Sequence, residues 1–352
     1  MDWWRKLKNN PLARLGAIIL ITFYILVIGA NFFAPYDPYS SQLDGSLMPP
    51  TAIHWQNGKP VIYPTSQGAT DLETGDRQLI IDADNPQPLG LFVKGDPYRF
   101  LGIPGDRHLF GVVGNDARFN LLGTDEQGRD HFSRLVHGGR ISLFIGLVGI
   151  TISFPLGMLI GGISGYFGGW VDSVLMRFVE VLMTIPGIYL LVSLAAVLPA
   201  NITSAQRFLL IVMITSFISW SGLARVIRGQ VLSIKNQEFV QAAQATGGRS
   251  LYIITQHILP QTSTYAVISA TLAIPGFIIA ESVLSLIGLG IQQPDPSWGN
   301  LLSLGTNASI LVLQPWLVWS PAILIIITVL AFNLLGDGLR DALDPKNLGR
   351  SR

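Results

Sequence analysis

Residues 237–260 read QEFVQAAQATGGRSLYIITQHILP. The stretch is polar and rich in alanine, a residue that favours helix, and it interrupts two long apolar runs. Asn236 stands before it as an N-cap, and Glu238 falls in the first turn, where the helix dipole favours negative charge. Gly247-Gly248 closes it. The pattern predicts about ten residues of helix, roughly 15 Å long, lying outside a membrane. Ala242, Ala243 and Ala245 keep its surface slim and leave Phe239 as the largest apolar knob. Such a surface fits a groove on another protein. The alternative is a loop helix packed on its own domain.

The composition of the chain sets the surroundings of this stretch. Its 352 residues are 49% hydrophobic and only 13% charged, with mean hydropathy +0.45. Soluble domains carry about a quarter charged residues, so the chain reads as a membrane protein in contact with lipid. A net charge of +1 gives no argument for nucleic acid. The absence of cysteine excludes disulfides, thiolate metal sites and cysteine nucleophiles.

Hydropathy predicts six spans, at residues 15–34, 141–166, 178–198, 208–224, 262–291 and 316–335. Arg5, Lys6, Lys8 and Arg14 precede the first, which reads as a retained helix rather than a cleaved signal. Pro155, Pro186 and Pro275 fall inside spans and predict kinks. Gly157, Gly161, Gly165 and Gly169 recur every four residues, a helix-packing stripe along which a neighbouring backbone approaches closely. The order gives three parts: residues 1–34 with the first helix, a hydrophilic insertion at 35–140, and a core at 141–352 that contains the loop 225–260.

The insertion is dense in Pro, Gly and Asp and has β-prone pieces at 60–63, 79–81, 89–93 and 109–113, so a small β-containing domain is expected. Lys and Arg gather in the N-terminal segment, in the loop 225–260 and in the C-terminal tail. By the positive-inside rule both termini and that loop are cytoplasmic, which puts the insertion on the extracytoplasmic side.

No GxxxxGK[ST] occurs, so the chain offers no P-loop for nucleotide. No GxSxG or HExxH is present, and the five histidines lack metal-ligand spacing, so no catalytic or metal site is expected. Glu281 is the one carboxylate deep in an apolar span, beside Ser282 and Ser285. Two readings stand for this trio: a gate or pathway site, because intramembrane carboxylates are expensive, or hydrogen bonding to a neighbouring helix. Glu180 is expected to pair with Arg177.

Four segments carry a family resemblance. Ala242-Ala243, Gly247 and Ile258-Leu259-Pro260 resemble the coupling loop, or EAA motif, of binding-protein-dependent ABC transporter permeases, with Gln241 where a glutamate is usual. Residues 121–143 (LLGTDEQGRDHFSRLVHGGRISL) resemble the GTDxxGRD segment of the oligopeptide and dipeptide branch, and QPDPSWGNLL at 293–302 and NLLGDGLRDALDPK at 333–346 complete the series. The resemblance implies an all-α permease of the type I ABC importer fold in a bacterial inner membrane, a transporter subunit and not an enzyme. It implies as partners a second homologous permease, two cytoplasmic ATPase subunits that hold ATP and Mg, and an extracytoplasmic solute-binding protein. Glu238, Phe239, Gln241, Ala242, Ala243 and Gly247 are then the ATPase-coupling residues. Peptide is the implied cargo, with nickel, glutathione or sugar oligomers as alternatives within the family. An ion-coupled transporter using Glu281 is the alternative outside it.

Overall fold

A computed structural model describes residues 2–70, 77–100, 102–114, 117–199 and 202–343; the end of the 333–346 segment, from 344 on, lies outside them. The chain divides into two compact units, residues 1–20, 143–284 and 326–352 in one, and 21–142 and 285–325 in the other.

The chain opens with α1 (Asp2–Asn9) and α2 (Pro11–Ile28), followed by a short α3 (Ala30–Phe33). Asn10 separates the first two, its Oδ1 accepting from the N–H groups of Leu12 (3.0 Å) and Ala13 (3.2 Å). Pro11 takes the first helical position, where its missing N–H is not needed. The predicted first span therefore starts earlier than residue 15 and breaks at Gly29.

The insertion contains a four-stranded antiparallel sheet in the order β1 (His54–Gln56), β2 (Lys59–Ile62), β5 (Gln87–Phe100), β6 (Ile103–Val112), and a separate pair, β3 (Thr65–Thr70) with β4 (Arg77–Ile81). All four β-prone pieces fall on strands. A small core of Ile62, Val112 and Phe119, with Leu89 and Phe110 packed against it, holds the larger sheet.

Every later span differs from its predicted bounds. α4 (His131–Phe167) starts ten residues early and runs through Pro155 without a break. The third span is two helices, α5 (Gly169–Thr184) and α6 (Gly187–Ala196), bent by 83°. Pro186 accounts for the break: it donates no N–H and drives Ile185 to the extended φ −80°, ψ 124°. α7 (Ser204–Ile234) is longer than the predicted 208–224 at both ends. Thr203 and Gln206 form a capping box at its start. Buried Ile227 and Val231 carry it onward as a helix where a loop was expected. After α8 (Glu238–Ala245) and α9 (Ser250–Tyr252) comes a π turn, Ile253–Ile258, and a 3₁₀ turn, Leu259–Thr262, that lead into α10 (Ser263–Leu286). Pro260 lies in that irregular stretch, where ordinary α hydrogen bonding fails for want of its N–H. α11 (Trp298–Leu302), α12 (Ala308–Leu313) and α13 (Pro315–Leu343) close the described chain.

Among the described residues five helices are long and apolar enough to cross a membrane, or six if the bent α5–α6 pair is one span. α4 and α7 approach closely along three of the glycines. A Cβ on Gly157 would lie 2.8 Å from the Trp220 carbonyl oxygen, one on Gly161 would collide with that of Ala224, and one on Gly165 would lie 2.9 Å from that of Arg228. Gly169 does not belong to this row. α4 ends at Phe167, and Gly169 opens α5 at φ +54°, where a Cβ would meet no described atom within 4 Å.

Gly161→Ala should therefore lower the thermal stability of the purified chain by about 1–3 kcal/mol through overpacking. Gly222→Ala, also helical but with open space around its Cβ, should be within about 0.5 kcal/mol of neutral or mildly stabilising. Equal losses from both would refute the close-approach account.

Candidate functional site

α8 is an eight-residue helix with one anchored side and one free side. Val240 is fully buried in a cluster with Ile227, Val231, Ile253, Ile254 and Ile258, against which Ala243 and Tyr166 also pack. Glu238, Phe239, Gln241, Ala242 and Gly247 are exposed, and Phe239 is 38% accessible. Five of the six predicted coupling residues thus share the accessible side, whereas Ala243 is half-buried and turned inward.

Local chemistry explains the ends of α8. The N-cap is Gln237, extended at ψ 152° and without a side-chain cap bond, not Asn236 as expected. The carbonyl of Asn236 instead accepts from Gln241 Nε2 at 3.1 Å. At the other end Gly247 N–H donates to the Gln244 carbonyl and Gly248 N–H to that of Ala243, each at 3.0 Å, with Gly247 at φ +81°. These are the two bonds of a Schellman cap, and the left-handed residue it needs is a glycine because other residues are strained there.

Of the residues expected at a gate or pathway, Glu281 is fully buried. The Ser282 hydroxyl donates to the Ile278 carbonyl of its own helix (2.8 Å), and Ser285 Oγ accepts from the Ile291 N–H (3.1 Å). A cavity of about 410 Å³ opens in the insertion. A separate cavity of about 230 Å³ lies between α6, α7 and α10, lined among others by Leu191, Thr215, Ser219, Gly276, Phe277 and Ala280. Glu281 is not part of its lining, although its neighbour Ala280 is. Thr215, Ser219 and Gly276 carried no signal in the sequence, because isolated small polar residues are ordinary in membrane helices.

The GTDEQGRD segment forms a buried polar knot. Asp125 lies 2.7 Å from Arg129 and 3.2 Å from Arg134, which is wholly buried. The Arg134 contact is close without hydrogen-bond alignment at Nε. Gln293 Oε1 accepts from both arginines at 2.8 Å, and Gln293 Nε2 donates to Asn300 Oδ1, so this segment holds the 293–300 loop. Trp298 is buried and its Nε1 donates to the Leu135 carbonyl. Glu126 is exposed. Asp130 caps α4, its Oδ2 accepting from Ser133 N–H at 2.7 Å. Arg177 and Glu180 pair at 3.1 Å on an exposed face, where such pairs contribute little. No group of His, Asp and Glu among the described residues is arranged to hold a metal ion.

Five apolar spans among the described residues, or six if α5–α6 is one, mark an integral membrane protein, and α8 presents an accessible face on the core of one unit. Residues 154–348 match the family described as binding-protein-dependent transport system inner membrane component, and residues 1–50 match the N-terminal TM domain of oligopeptide transport permease C. The chain is 33% identical to the dipeptide transport system permease protein DppC of Bacillus subtilis, over 98% of this chain and 85% of that one. It is 45% identical to the oligopeptide transport system permease protein OppC of Haemophilus influenzae, over 65% of this chain and 71% of that one. An amino acid ABC transporter of known structure aligns at 17% identity and TM-score 0.43, too low for that likeness to carry weight. On the family match and these relatives, the chain belongs to the binding-protein-dependent inner membrane permeases and is a multi-pass transport component.

Burial pushes the Asp130 carboxyl up from 3.8 to about 6, although the bonds from Ser133 and the nearby Arg118 pull it down. The folded state then binds the proton more tightly than the unfolded state. This group's contribution is most favourable below about pH 4 and is lost as pH rises through 6. Asp130→Asn keeps the cap acceptor and cannot ionise, so thermal unfolding should show it no less stable than the parent at pH 7.5, with the advantage gone at pH 4. A loss of the same size at every pH would contradict the buried-charge account.

Proposed function

We propose that this chain is one permease subunit of an ATP-driven ABC importer for peptides, and that α8 is the helix by which a partner ATPase drives it. The accessible face of α8 on a core-anchored Val240 carries this reading: force applied at Phe239 and Ala242 reaches α7 and the π turn through rigid packing rather than through a loose loop. The names of the relatives, oligopeptide and dipeptide permeases, support peptide as the cargo.

Counting α5–α6 as a single span gives six crossings, with both termini and α8 on the cytoplasmic side and the β-containing insertion outside. The basic residues of the N-terminal segment and of the α7–α8 region support that polarity. The pathway is shared with a second, homologous permease. ATP and Mg are held by two ATPase subunits, and a solute-binding protein delivers cargo on the outer side, where the insertion docks it or covers the mouth. ATP binding closes the ATPase pair, α8 moves with it, and the spans rock between inward-open and outward-open states.

Ala242→Glu and Phe239→Ala lie on the free face and should leave the chain folded while reducing ATPase co-purification by about tenfold, a loss of roughly 1.4 kcal/mol. Ala243→Glu faces the core and should instead lower the amount of folded chain. If the ATPases co-elute undiminished with both free-face variants, α8 is not the docking helix.

A further inference from the structure

The corner between α4 and α5 is tied to the same end of α7 that carries α8, by polar contacts that the packing alone does not require. Arg228 on α7 donates to both carboxylate oxygens of Asp172 in the first turn of α5, through Nε at 3.0 Å and through Nη2. Ser164, near the end of α4, donates to the same Asp172 carboxylate at 2.5 Å. Seven residues on, at the C-cap of α7, Lys235 Nζ donates to the Gly165 carbonyl at 3.0 Å, a cation on the negative end of α4. Gln244 Nε2 on α8 donates to the Tyr166 hydroxyl at 3.1 Å.

The corner itself turns on Gly168 (φ +65°) and Gly169 (φ +54°), so its backbone has conformations open to it that other residues would close. The bidentate Asp172–Arg228 pair stands beside these two glycines. A planar guanidinium fork on a carboxylate fixes orientation as well as distance, which a single contact does not.

We propose that Asp172 and Arg228 are positioning residues that lock the α4–α5 corner to the α8-bearing end of α7, so that displacement of α8 is delivered to α5 as well as to the helices it packs on and adjoins in sequence. Lys235–Gly165 and Gln244–Tyr166 are the flanking ties of the same lock. Without the pair, α8 still docks its ATPase, and hydrolysis proceeds, but the motion is absorbed at Gly168-Gly169. The functional half of this proposal rests on the reading of α8 as the coupling helix; the rigid corner does not.

The chain has no cysteine, so two introduced cysteines report unambiguously. Spin labels at Val174→Cys and Ala245→Cys, both exposed, in the full-length chain in lipid nanodiscs should give one narrow distance. Asp172→Asn and Arg228→Gln should each broaden it, and the exchange Asp172→Arg with Arg228→Asp should narrow it again. An unchanged distribution in Asp172→Asn overturns the lock.

In the reconstituted importer with its partner subunits, the same variants should keep basal hydrolysis and ATPase co-elution while labelled tri-alanine taken up per ATP falls roughly fivefold or more. The charge exchange should recover most of it. A broadened distance with an unchanged uptake ratio would leave the pair structural and overturn its role in transmission. Loss of ATPase co-elution would also overturn it, and would place the pair in docking. If the parent assembly itself neither retains the ATPases nor takes up the peptide, the proposed function fails while the distance measurement still decides the lock.

Discussion

Where Gly157, Gly161 and Gly165 face α7, the missing side chains let its carbonyl groups and the side chains of Leu223, Ile227 and Val231 come close to the α4 backbone, and the packing of α7 depends on that approach. In lipid there is little hydrophobic drive between helices, so close van der Waals packing has to hold them. This contact fixes α7 and carries it onward as helix, with Ile227 and Val231 buried beside α4. The extension brings Val240 of α8 into the same cluster. A slim amphipathic helix of eight residues would be marginal alone; here it is stable because one valine and one inward alanine attach it to a core built by glycines elsewhere in the sequence.

The insertion and its surroundings rely on different physics. A buried aspartate shared by two arginines is poor evidence of stability in itself, because desolvation offsets much of the attraction. It is strong evidence of specificity, since removing one partner strands the others. Gln293 extends this knot to the loop that carries Trp298, its amide accepting one bond from each of two arginines and donating to Asn300 at once. Two stretches distant in sequence, 125–134 and 293–300, are thereby fixed in register with one another.

The apolar spans were legible because hydropathy over about twenty residues is a strong signal. Their ends were not. α4 and α7 continue as helices well past the apolar run, where amphipathic packing replaces lipid contact, and Thr203 with Gln206 was a readable start signal for α7 that a hydropathy window does not register. Pro155 and Pro186 look alike in sequence, yet only the second breaks its span. Strands β1 and β3 escaped notice because HWQ and TSQGAT have no apolar alternation to show. The α8 surface was legible as a motif, but which alanine faces inward was not: Ala242 and Ala243 are neighbours, and a turn of about 100° per residue separates exposed from packed. The Asp172–Arg228 pair lies 56 residues apart, and no local pattern announces a contact at that range.

The most direct test of α8 as the site of ATPase engagement is site-specific photocrosslinking from single cysteines in the assembled transporter. A benzophenone placed at Phe239 or Ala242 should give an adduct with the ATPase subunit, and one at Ala243 should give little or none. No adduct from either free-face position, or adducts from the inward position in preference to them, would contradict the account.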